Sequence, residues 1–524
     1  MRKPNSKMRL LPLVAATYFM VAGGPYGLED ILGDVGYGRA LLLLLLIPLV
    51  WSLPTALMVG ELAAALPQEG GYYCWVRRAL GPFWGFQEAW LSLAASVFDM
   101  AIYPVLFVLY LSRVAPSLTS GSRATLWELA VVLACAAWNL RGAKSVGEGS
   151  IGFFTVLLAP FVVLVAAGLW KGRFAHATGI LSLTDHLRNS LTLLRAPVAA
   201  PSLAGAVSIA LWNYMGWDNA STVAQEVESP QRNYPRAMLI SAALVAATYI
   251  VPLAAVGISG VPASQFTTGA WTDAARSIAG PGLLGTLLAL AVVFGGMLSG
   301  AGMFNALMLS YARVPYALAQ DGLLPRFLTR ASSARPNRAP VPWASVLVCA
   351  AAWALALGLS FERLISIDLV LYGASLLLEF VALVVLRLRE PALARPFRIP
   401  GGLIAAVLVG VGPALLLAFA LVAARSQRVG PQPPTPLPLW SQPLVRSLSA
   451  WPAAPRPQNF RPQTAQQDNS GALCCHGGTV PLSKQIGSRQ PGTAWILLGV
   501  KKYFREREFL DMLLLVPHYK GFLQ

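Results

Sequence analysis

Nine carboxylates lie inside long apolar stretches of the sequence, where a charged side chain is costly and therefore informative. No Lys or Arg lies inside these stretches. A carboxylate at the centre of a bilayer costs at least about 2.5–3.5 kcal/mol on insertion scales, so each one needs a partner, water, a proton or a cationic solute. The nine are Glu29, Asp30, Glu61, Glu88, Asp99, Glu128, Asp218, Asp368 and Glu379. A bound cation or a proton is the simplest compensation.

Their positions divide these carboxylates into two sets. One set falls near the ends of the apolar stretches and comprises Glu61, Glu88, Glu128 and Asp368. We expect this set to face lipid headgroups or to cap neighbouring helices. The other set lies deeper, or beside an interruption of the apolar pattern, and comprises Glu29, Asp30, Asp99 and Asp218. We predict that these bind a cationic solute, or in the case of Asp99 a coupling proton. Glu379 fits either description.

Two of the apolar stretches are interrupted near their middles. Residues 22–27 read Ala-Gly-Gly-Pro-Tyr-Gly, and residues 212–219 read Trp-Asn-Tyr-Met-Gly-Trp-Asp-Asn. Glycine and proline remove side-chain packing and a backbone donor, and non-helical backbone at membrane depth is tolerated only where protein or a watery cavity satisfies it. Breaks in the first and sixth stretches predict an inverted-repeat transporter with its site at the midplane. Glycine and proline kinks used for helix packing are the alternative.

The candidate binding residues lie at these breaks and on the third stretch. Aromatic rings there could form cation–π walls around an ammonium group, although Trp and Tyr also serve in ordinary packing. The candidates are Gly23, Gly24, Tyr26, Gly27, Glu29, Asp99, Tyr214, Trp217 and Asp218. All four histidines lie outside the apolar stretches, and no nucleophile–base pair or metal-ligand spacing occurs. The pattern therefore predicts neither an enzyme nor a metal or cofactor site.

The elements that carry these residues must be membrane helices. The 524-residue chain is 56% hydrophobic and 12% charged, with a mean hydropathy of +0.58, which is more apolar surface than a soluble core uses. About 20 apolar residues span a bilayer as a helix, and only helices satisfy their own backbone in open segments of this length. Eleven such stretches occur, at residues 10–32, 40–66, 83–111, 126–140, 151–170, 203–223, 237–256, 283–311, 341–359, 364–386 and 403–424.

Charge outside these stretches predicts the orientation. The loops on the side of the N-terminus carry about twice as many Lys and Arg as the loops on the other side, so we expect residues 1–9 in the cytoplasm. The same distribution explains much of the net charge of +17 without nucleic acid as a partner. Residues 425–524 turn Pro-rich and polar, which predicts a flexible, low-complexity C-terminal tail.

Two loops carry a family resemblance. Residues 61–72 (ELAAALPQEGGY) and 226–237 (EVESPQRNYPRA) resemble signature loops of the amino acid–polyamine–organocation superfamily. The resemblance covers residues 10–424 and implies a LeuT-like bundle of 5+5 inverted helical repeats. The superfamily usually has twelve membrane helices, whereas we expect about eleven here, with the tail in place of the twelfth.

Three further segments look most like the polyamine uptake branch, which is itself similar to L-type amino acid transporters. They are residues 23–30 (GGPYGLED), 98–104 (FDMAIYP) and 212–218 (WNYMGWD). This resemblance implies secondary-active uptake of putrescine or spermidine by proton symport and alternating access, at the plasma membrane. An amino acid permease or exchanger and a transport-dead solute receptor remain open as alternatives. The oligomeric state is not predicted.

Overall fold

A computed structural model describes residues 7–177, 200–332, 340–357 and 361–426. These residues form helices joined by turns, with isolated β-bridges and no extended strand. The first group of helices is α1 (Leu10–Val21), α2 (Glu29–Ile47), α3 (Leu53–Ala65), α4 (Tyr72–Leu80), α5 (Pro82–Ser112), α6 (Ser122–Asn139) and α7 (Ala143–Ala177). The second group is α8 (Ala200–Trp212), α9 (Pro230–Ile258), α10 (Trp271–Ala279), α11 (Leu283–Tyr311), α12 (Arg313–Gln320), α13 (Trp343–Leu355), α14 (Phe361–Arg389) and α15 (Gly402–Ser426).

The expected membrane character is confirmed. Within the described ranges, seven helical segments are long and apolar enough to cross a bilayer, and α1, α8 and α13 are shorter apolar helices. Large apolar side chains such as Leu283, Ile404 and Leu415 are exposed on the outside of the bundle, as expected for surfaces that contact lipid. The predicted tail lies outside the described residues, apart from its first two, which continue α15.

The first predicted break is present. Helix α1 ends at Val21, and the chain is non-helical until α2 begins at Glu29. Gly24 and Gly27 have φ of 75° and 86°, in the left-handed region that glycine adopts at no steric cost. A further left-handed glycine, Gly36, turns the chain within α2, so the first and second predicted stretches meet at a sharp corner.

The second break faces the first. Helix α8 ends at Trp212, and 3₁₀ turns begin only at Asp218. Gly216, between them, has φ of 94°. A Cβ atom on Gly216 would lie 2.2 Å from the carbonyl oxygen of Met20, so only glycine allows the two interrupted segments to approach this closely.

Ion pairs close one end of the bundle, here called the N-terminal face because Met8 lies there. The Met8 amide donates to the carbonyl oxygen of Glu226 at 2.8 Å. The Glu226 carboxylate pairs with Arg313 of α12, with a Nε–Oε1 distance of 2.7 Å. Glu61 pairs with Arg387 at the end of α14, with a Nε–Oε1 distance of 2.9 Å. We expected Glu61 to face headgroups or to cap a neighbouring helix, and it instead pairs with Arg387, because α14 extends past its predicted end at residue 386.

The loop before α10 closes the opposite face. The Thr268 amide and hydroxyl donate to the two oxygens of Asp30 at 2.8 and 2.5 Å. The Trp271 indole donates to the Pro25 carbonyl at 2.9 Å, inside the first break. Protein groups therefore bridge both ends of the bundle.

Candidate functional site

A cavity lies between the two breaks. It is narrow in this conformation, with a volume of about 10 Å³, whereas the space between its wall atoms is about 250 Å³ when open solvent is counted. Met20 and Val21 of α1 line one side, and Trp212, Met215 and Gly216 line the other. The rest of the wall comes from α5, α11, α14 and the 3₁₀ turn after α8, and consists of Asp99, Tyr103, Asn219, Tyr311, Asp368 and Tyr372.

Asp99 is a cavity carboxylate that has hydrogen-bond donors around it. Its Oδ1 accepts from the hydroxyl of Tyr103, one turn later on α5, at 2.6 Å and from the Trp212 indole at 3.4 Å. Its Oδ2 accepts from the Tyr311 hydroxyl at 3.4 Å. The carboxylate thereby connects α5, the second break and α11. Asp99, which we predicted at the solute site, therefore lies in the cavity wall.

Asp368 is the second cavity carboxylate, and it has no such support. It is 1% exposed, and neither of its oxygens has a hydrogen-bond partner among the described residues. Asp99 and Asp218, which are also acidic, interact with it electrostatically. We expected Asp368 to face headgroups or to cap a neighbouring helix, and it does neither, because α14 begins at Phe361 and places Asp368 two turns inside the helix.

Asp218 lies directly behind the cavity wall. Its Oδ1 accepts a hydrogen bond from the Tyr372 hydroxyl, and the same hydroxyl accepts from the Gly216 amide at 2.9 Å. Tyr372 therefore separates the Asp218 carboxylate from the cavity that the ring lines. Asp218 was predicted at the site and is adjacent to it, with its contact to the cavity made through Tyr372.

Glu29 and Tyr26, both predicted to bind solute, are not part of the cavity lining. Glu29 Oε2 accepts from the Gly27 amide at 2.6 Å, and Oε1 accepts from the Tyr110 hydroxyl and from the Gly269 amide at 3.1 Å. The Tyr26 hydroxyl donates to the Val292 carbonyl at 2.7 Å. These contacts hold the first break to its neighbours.

The remaining predicted residues also make structural contacts. The Gly23 carbonyl accepts from the Ser299 hydroxyl at 2.7 Å. The Tyr214 hydroxyl donates to the Leu44 carbonyl at 2.8 Å, and the Trp217 indole donates to the Tyr214 carbonyl at 2.9 Å. None of these residues, nor Gly24 or Gly27, is in the cavity wall.

Sequence reasoning missed several wall residues, although a signal was present. The segments Asp99-Met-Ala-Ile-Tyr103 and Asp368-Leu-Val-Leu-Tyr372 share the pattern Asp-x-x-x-Tyr. Residues four apart lie on one face of a helix, so each segment presents a carboxylate and a phenol together. Helices α5 and α14 pack against each other, and the two segments meet at the cavity.

The chemistry of this wall suits a cation. Two buried carboxylates face a space bordered by Trp212 and three tyrosine rings. No ion pair among the described residues involves either carboxylate, and no group of three or more His, Cys, Asp or Glu in the described part of the chain could hold a metal ion. An ammonium group would supply the missing charge, and the rings would contact its alkyl chain.

Comparison with known proteins agrees with this geometry. The sequence profile described as "Amino acid permease" matches residues 14–443. The chain belongs to the amino acid permease family. Within it, this permease is 34% identical over 427 residues to a "probable polyamine transporter" of Arabidopsis thaliana, covering 81% of this chain and 80% of that one. It is also 34% identical to polyamine transporter PUT1 of Oryza sativa subsp. japonica, covering 79% and 73%.

A solved structure supports the fold. The crystal structure of MhsT in complex with L-phenylalanine matches this permease with a TM-score of 0.55 and 15% sequence identity. The match covers 81% of this chain and 99% of that one. The predicted LeuT-like helical bundle is thus confirmed, and the permease is a multi-pass membrane transporter.

Proposed function

We propose that this permease takes up polyamines, with the ammonium groups of the solute bound by Asp99 and Asp368. The observation that carries the proposal is the buried Asp368 carboxylate, whose two oxygens have no hydrogen-bond partner among the described residues. A buried charge is retained only when it is paired or neutralised. A diamine satisfies two carboxylates at once. The printed names of the relatives, which are polyamine transporters, support the same solute class.

The walls between the carboxylates suit an alkyl chain. Tyr103 and Trp212 are stacked, with ring centroids 6.2 Å apart and planes 23° from parallel. Their faces would contact methylene groups and add cation–π attraction to an ammonium group. Met20 and Met215 complete an adaptable apolar surface, which suits flexible solutes of different lengths.

The competing function is amino acid transport, which the family description favours. An amino acid also carries a carboxylate, which needs hydrogen-bond donors. At the first break the Gly27 amide donates to Glu29, and at the second break the Gly216 amide donates to Tyr372. Because protein groups already use these donors, and because carboxylates line the cavity, the geometry supports an amine without a carboxylate.

The transport cycle that we propose is alternating access by proton symport at the plasma membrane, with the N-terminal face in the cytoplasm. The excess of Lys and Arg in loops on that side supports the orientation. The cluster around Glu226 and Arg313 would then close the cytoplasmic side, and the contacts of Asp30 with Thr268 would close the external side. Breaking one set at a time would open the cavity to one side.

Uptake by purified protein in proteoliposomes tests the solute class. We expect radiolabelled putrescine and spermidine to accumulate, and we expect excess leucine to leave this uptake unchanged. Empty liposomes are the control. Accumulation of leucine that putrescine does not inhibit would reject polyamine uptake and favour the amino acid permease.

A further inference from the structure

A second acidic group lies along the same two helices, away from the cavity. Glu88 of α5 and Glu379 of α14, here called the inner pair, interact with each other and with Asp218. Glu88 is eleven residues before Asp99, and Glu379 is eleven residues after Asp368. Eleven residues span about 16 Å of helix. Asp99 and Asp368 are called the cavity pair below. The inner pair lies on the same two helices as the cavity pair but closer to the N-terminal face, where the short helix α4 packs over it.

The inner pair is incompletely satisfied. Both side chains are fully buried. Ser375 donates to Glu88 Oε1 at 2.5 Å, whereas Glu88 Oε2 and both oxygens of Glu379 have no hydrogen-bond partner within the described part of the chain. We expected Glu88 to face headgroups or to cap a neighbouring helix, but it is buried, because α4 packs over this part of α5.

The groups that face the inner pair supply no positive charge. Tyr72 from α4, Tyr372 from α14 and Asp218 from the 3₁₀ turn interact with it. The Tyr72 hydroxyl is hydrogen-bonded to Ser92 at 2.7 Å. No ion pair of the described residues includes Glu88, Glu379 or Asp218. Two ionised carboxylates in this position would carry a large desolvation cost and repel each other.

A proton is the cation that fits this position. The wall of the solute cavity includes neither Glu88 nor Glu379, so a solute in that cavity does not reach the pair. A neutral carboxylic acid is far cheaper to bury than a carboxylate, and like-charged carboxyl groups in one site commonly share a proton. We propose that Glu88 and Glu379 form the proton-binding site of this permease, separate from the solute site.

This inference rests on the proposed proton symport and names the residues that bind the coupled proton. Water on the external side supplies the proton, which bonds to a carboxylate oxygen of the pair. When the N-terminal face opens, that O–H bond breaks and the proton passes to water on the other side. Asp218 interacts with both the inner pair and the cavity carboxylates, so an ammonium group in the cavity and a proton on the inner pair influence each other's binding.

Glu379→Gln separates coupling from solute binding, because glutamine keeps the shape of the side chain and cannot release a proton. Two assays are made on the same proteoliposomes: putrescine accumulation driven by a pH gradient, acidic outside, and putrescine exchange at equal pH. We expect accumulation to fall at least tenfold and exchange to stay within twofold of the unsubstituted protein. Glu88→Gln is expected to behave in the same way.

Glu128→Gln is the matched control. Glu128 of α6 is also buried, with an oxygen that has no hydrogen-bond partner among the described residues, and its carboxylate has no described interaction with Glu88 or Glu379. We expect this variant to retain both accumulation and exchange. Accumulation by Glu379→Gln and Glu88→Gln equal to that of the unsubstituted protein would overturn the proposal, as would an equal loss in Glu128→Gln.

A measurement on the unsubstituted protein tests the proposal even if the variants do not fold. A pH-sensitive dye inside the liposomes should report acidification when putrescine is added outside. Putrescine uptake without acidification would overturn the proton site while leaving polyamine transport intact. Absence of putrescine uptake by the unsubstituted protein would reject the proposed function itself, so the two failures are distinguishable.

Discussion

Glu29 and Asp30, here called the first-break pair, and Asp99 and Asp368 of the cavity pair are all buried or partly buried carboxylates, but the two pairs differ in how many hydrogen-bond donors surround them. Glu29 accepts hydrogen bonds from two backbone amides and one tyrosine, and Asp30 accepts two from Thr268. At the cavity, Asp99 accepts three hydrogen bonds, two of which are long at 3.4 Å. Asp368 accepts none from the described residues. Protein donors therefore occupy the first-break pair more completely than the cavity pair, and we propose that a solute supplies what the cavity pair lacks.

The difference shows that a carboxylate beside a helix break is not thereby a solute ligand. A break exposes backbone donors, and a nearby carboxylate can satisfy them. Glu29 does this for Gly27, and it also ties the break to the loop before α10 through Gly269. The first-break pair ties its segment to the loop before α10, whereas we propose that the cavity pair binds an amine.

Removing both cavity charges should have the largest effect. In Asp99→Asn/Asp368→Asn we expect polyamine uptake to be lost, because the ammonium groups would enter a buried site without counter-charge. Loss of one partner from a buried charge pair costs about 2–5 kcal/mol, which corresponds to about 30-fold or more in affinity. Initial uptake rates in proteoliposomes measure the loss. Normal uptake by the double variant would contradict the claim that the cavity pair, unlike the first-break pair, binds the solute.

Glu29→Gln should damage stability and leave solute preference unchanged. The amide has one acceptor oxygen for three donors, so buried donors lose partners at a cost of about 3 kcal/mol. We expect a lower thermal unfolding temperature in detergent, measured by tryptophan fluorescence. Putrescine affinity of the folded fraction should match that of the unsubstituted protein. A loss of affinity without a loss of stability would assign Glu29 to the solute site.

Gly23→Ala should have a smaller effect on the same region. A Cβ atom at Gly23 would lie 2.1 Å from the Ser299 hydroxyl oxygen and 2.7 Å from the Met303 sulfur. Overpacking of this kind costs about 1–3 kcal/mol. Gly152→Ala is the control, because a Cβ atom there meets nothing within 4 Å on helix α7. Equal melting temperatures for the two variants would contradict this prediction, because they would show that the backbone at the first break shifts to accept a Cβ atom without loss of stability.

The smallest expected effect is the pH dependence at the N-terminal face. Burial raises the pKa of Glu69 to about 7, with Glu226 adding to the shift and Arg313 opposing it. A folded-state pKa above the unfolded value means that the folded protein binds more protons, so stability from this group falls as pH rises from about 4.5 to 7. In Glu69→Gln the decline in melting temperature over this range should be shallower. An unchanged slope would contradict the assignment.

Much of the fold could be predicted from the sequence, because hydropathy and backbone chemistry specify it locally. The stretch 283–311 matches α11 residue for residue. The break at residues 22–27 was visible from its three glycines and proline, and the break at residues 212–219 was visible from its polar and aromatic side chains between apolar flanks. Ends were predicted less well: α14 extends three residues beyond its predicted stretch at each end, and this shift placed Asp368 wrongly near headgroups.

The site was predicted only in part, because partners depend on tertiary packing. Of the nine predicted binding residues, Asp99 lies in the cavity wall and Asp218 lies directly behind it. Sequence shows that Glu29 and Asp368 are acidic and intramembrane, but only the packing shows that Gly269 and Tyr110 reach Glu29 while nothing described reaches Asp368. The repeated Asp-x-x-x-Tyr pattern was the one local signal for Asp368.

Titration calorimetry of putrescine into purified protein tests the central distinction most directly. The account predicts that the Kd rises at least about 30-fold in Asp368→Asn, since a buried counter-charge is lost. It predicts a Kd within twofold of the unsubstituted protein in Asp30→Asn, whose carboxylate is used by Thr268. The opposite order, with Asp30→Asn abolishing binding and Asp368→Asn leaving it intact, would contradict the account.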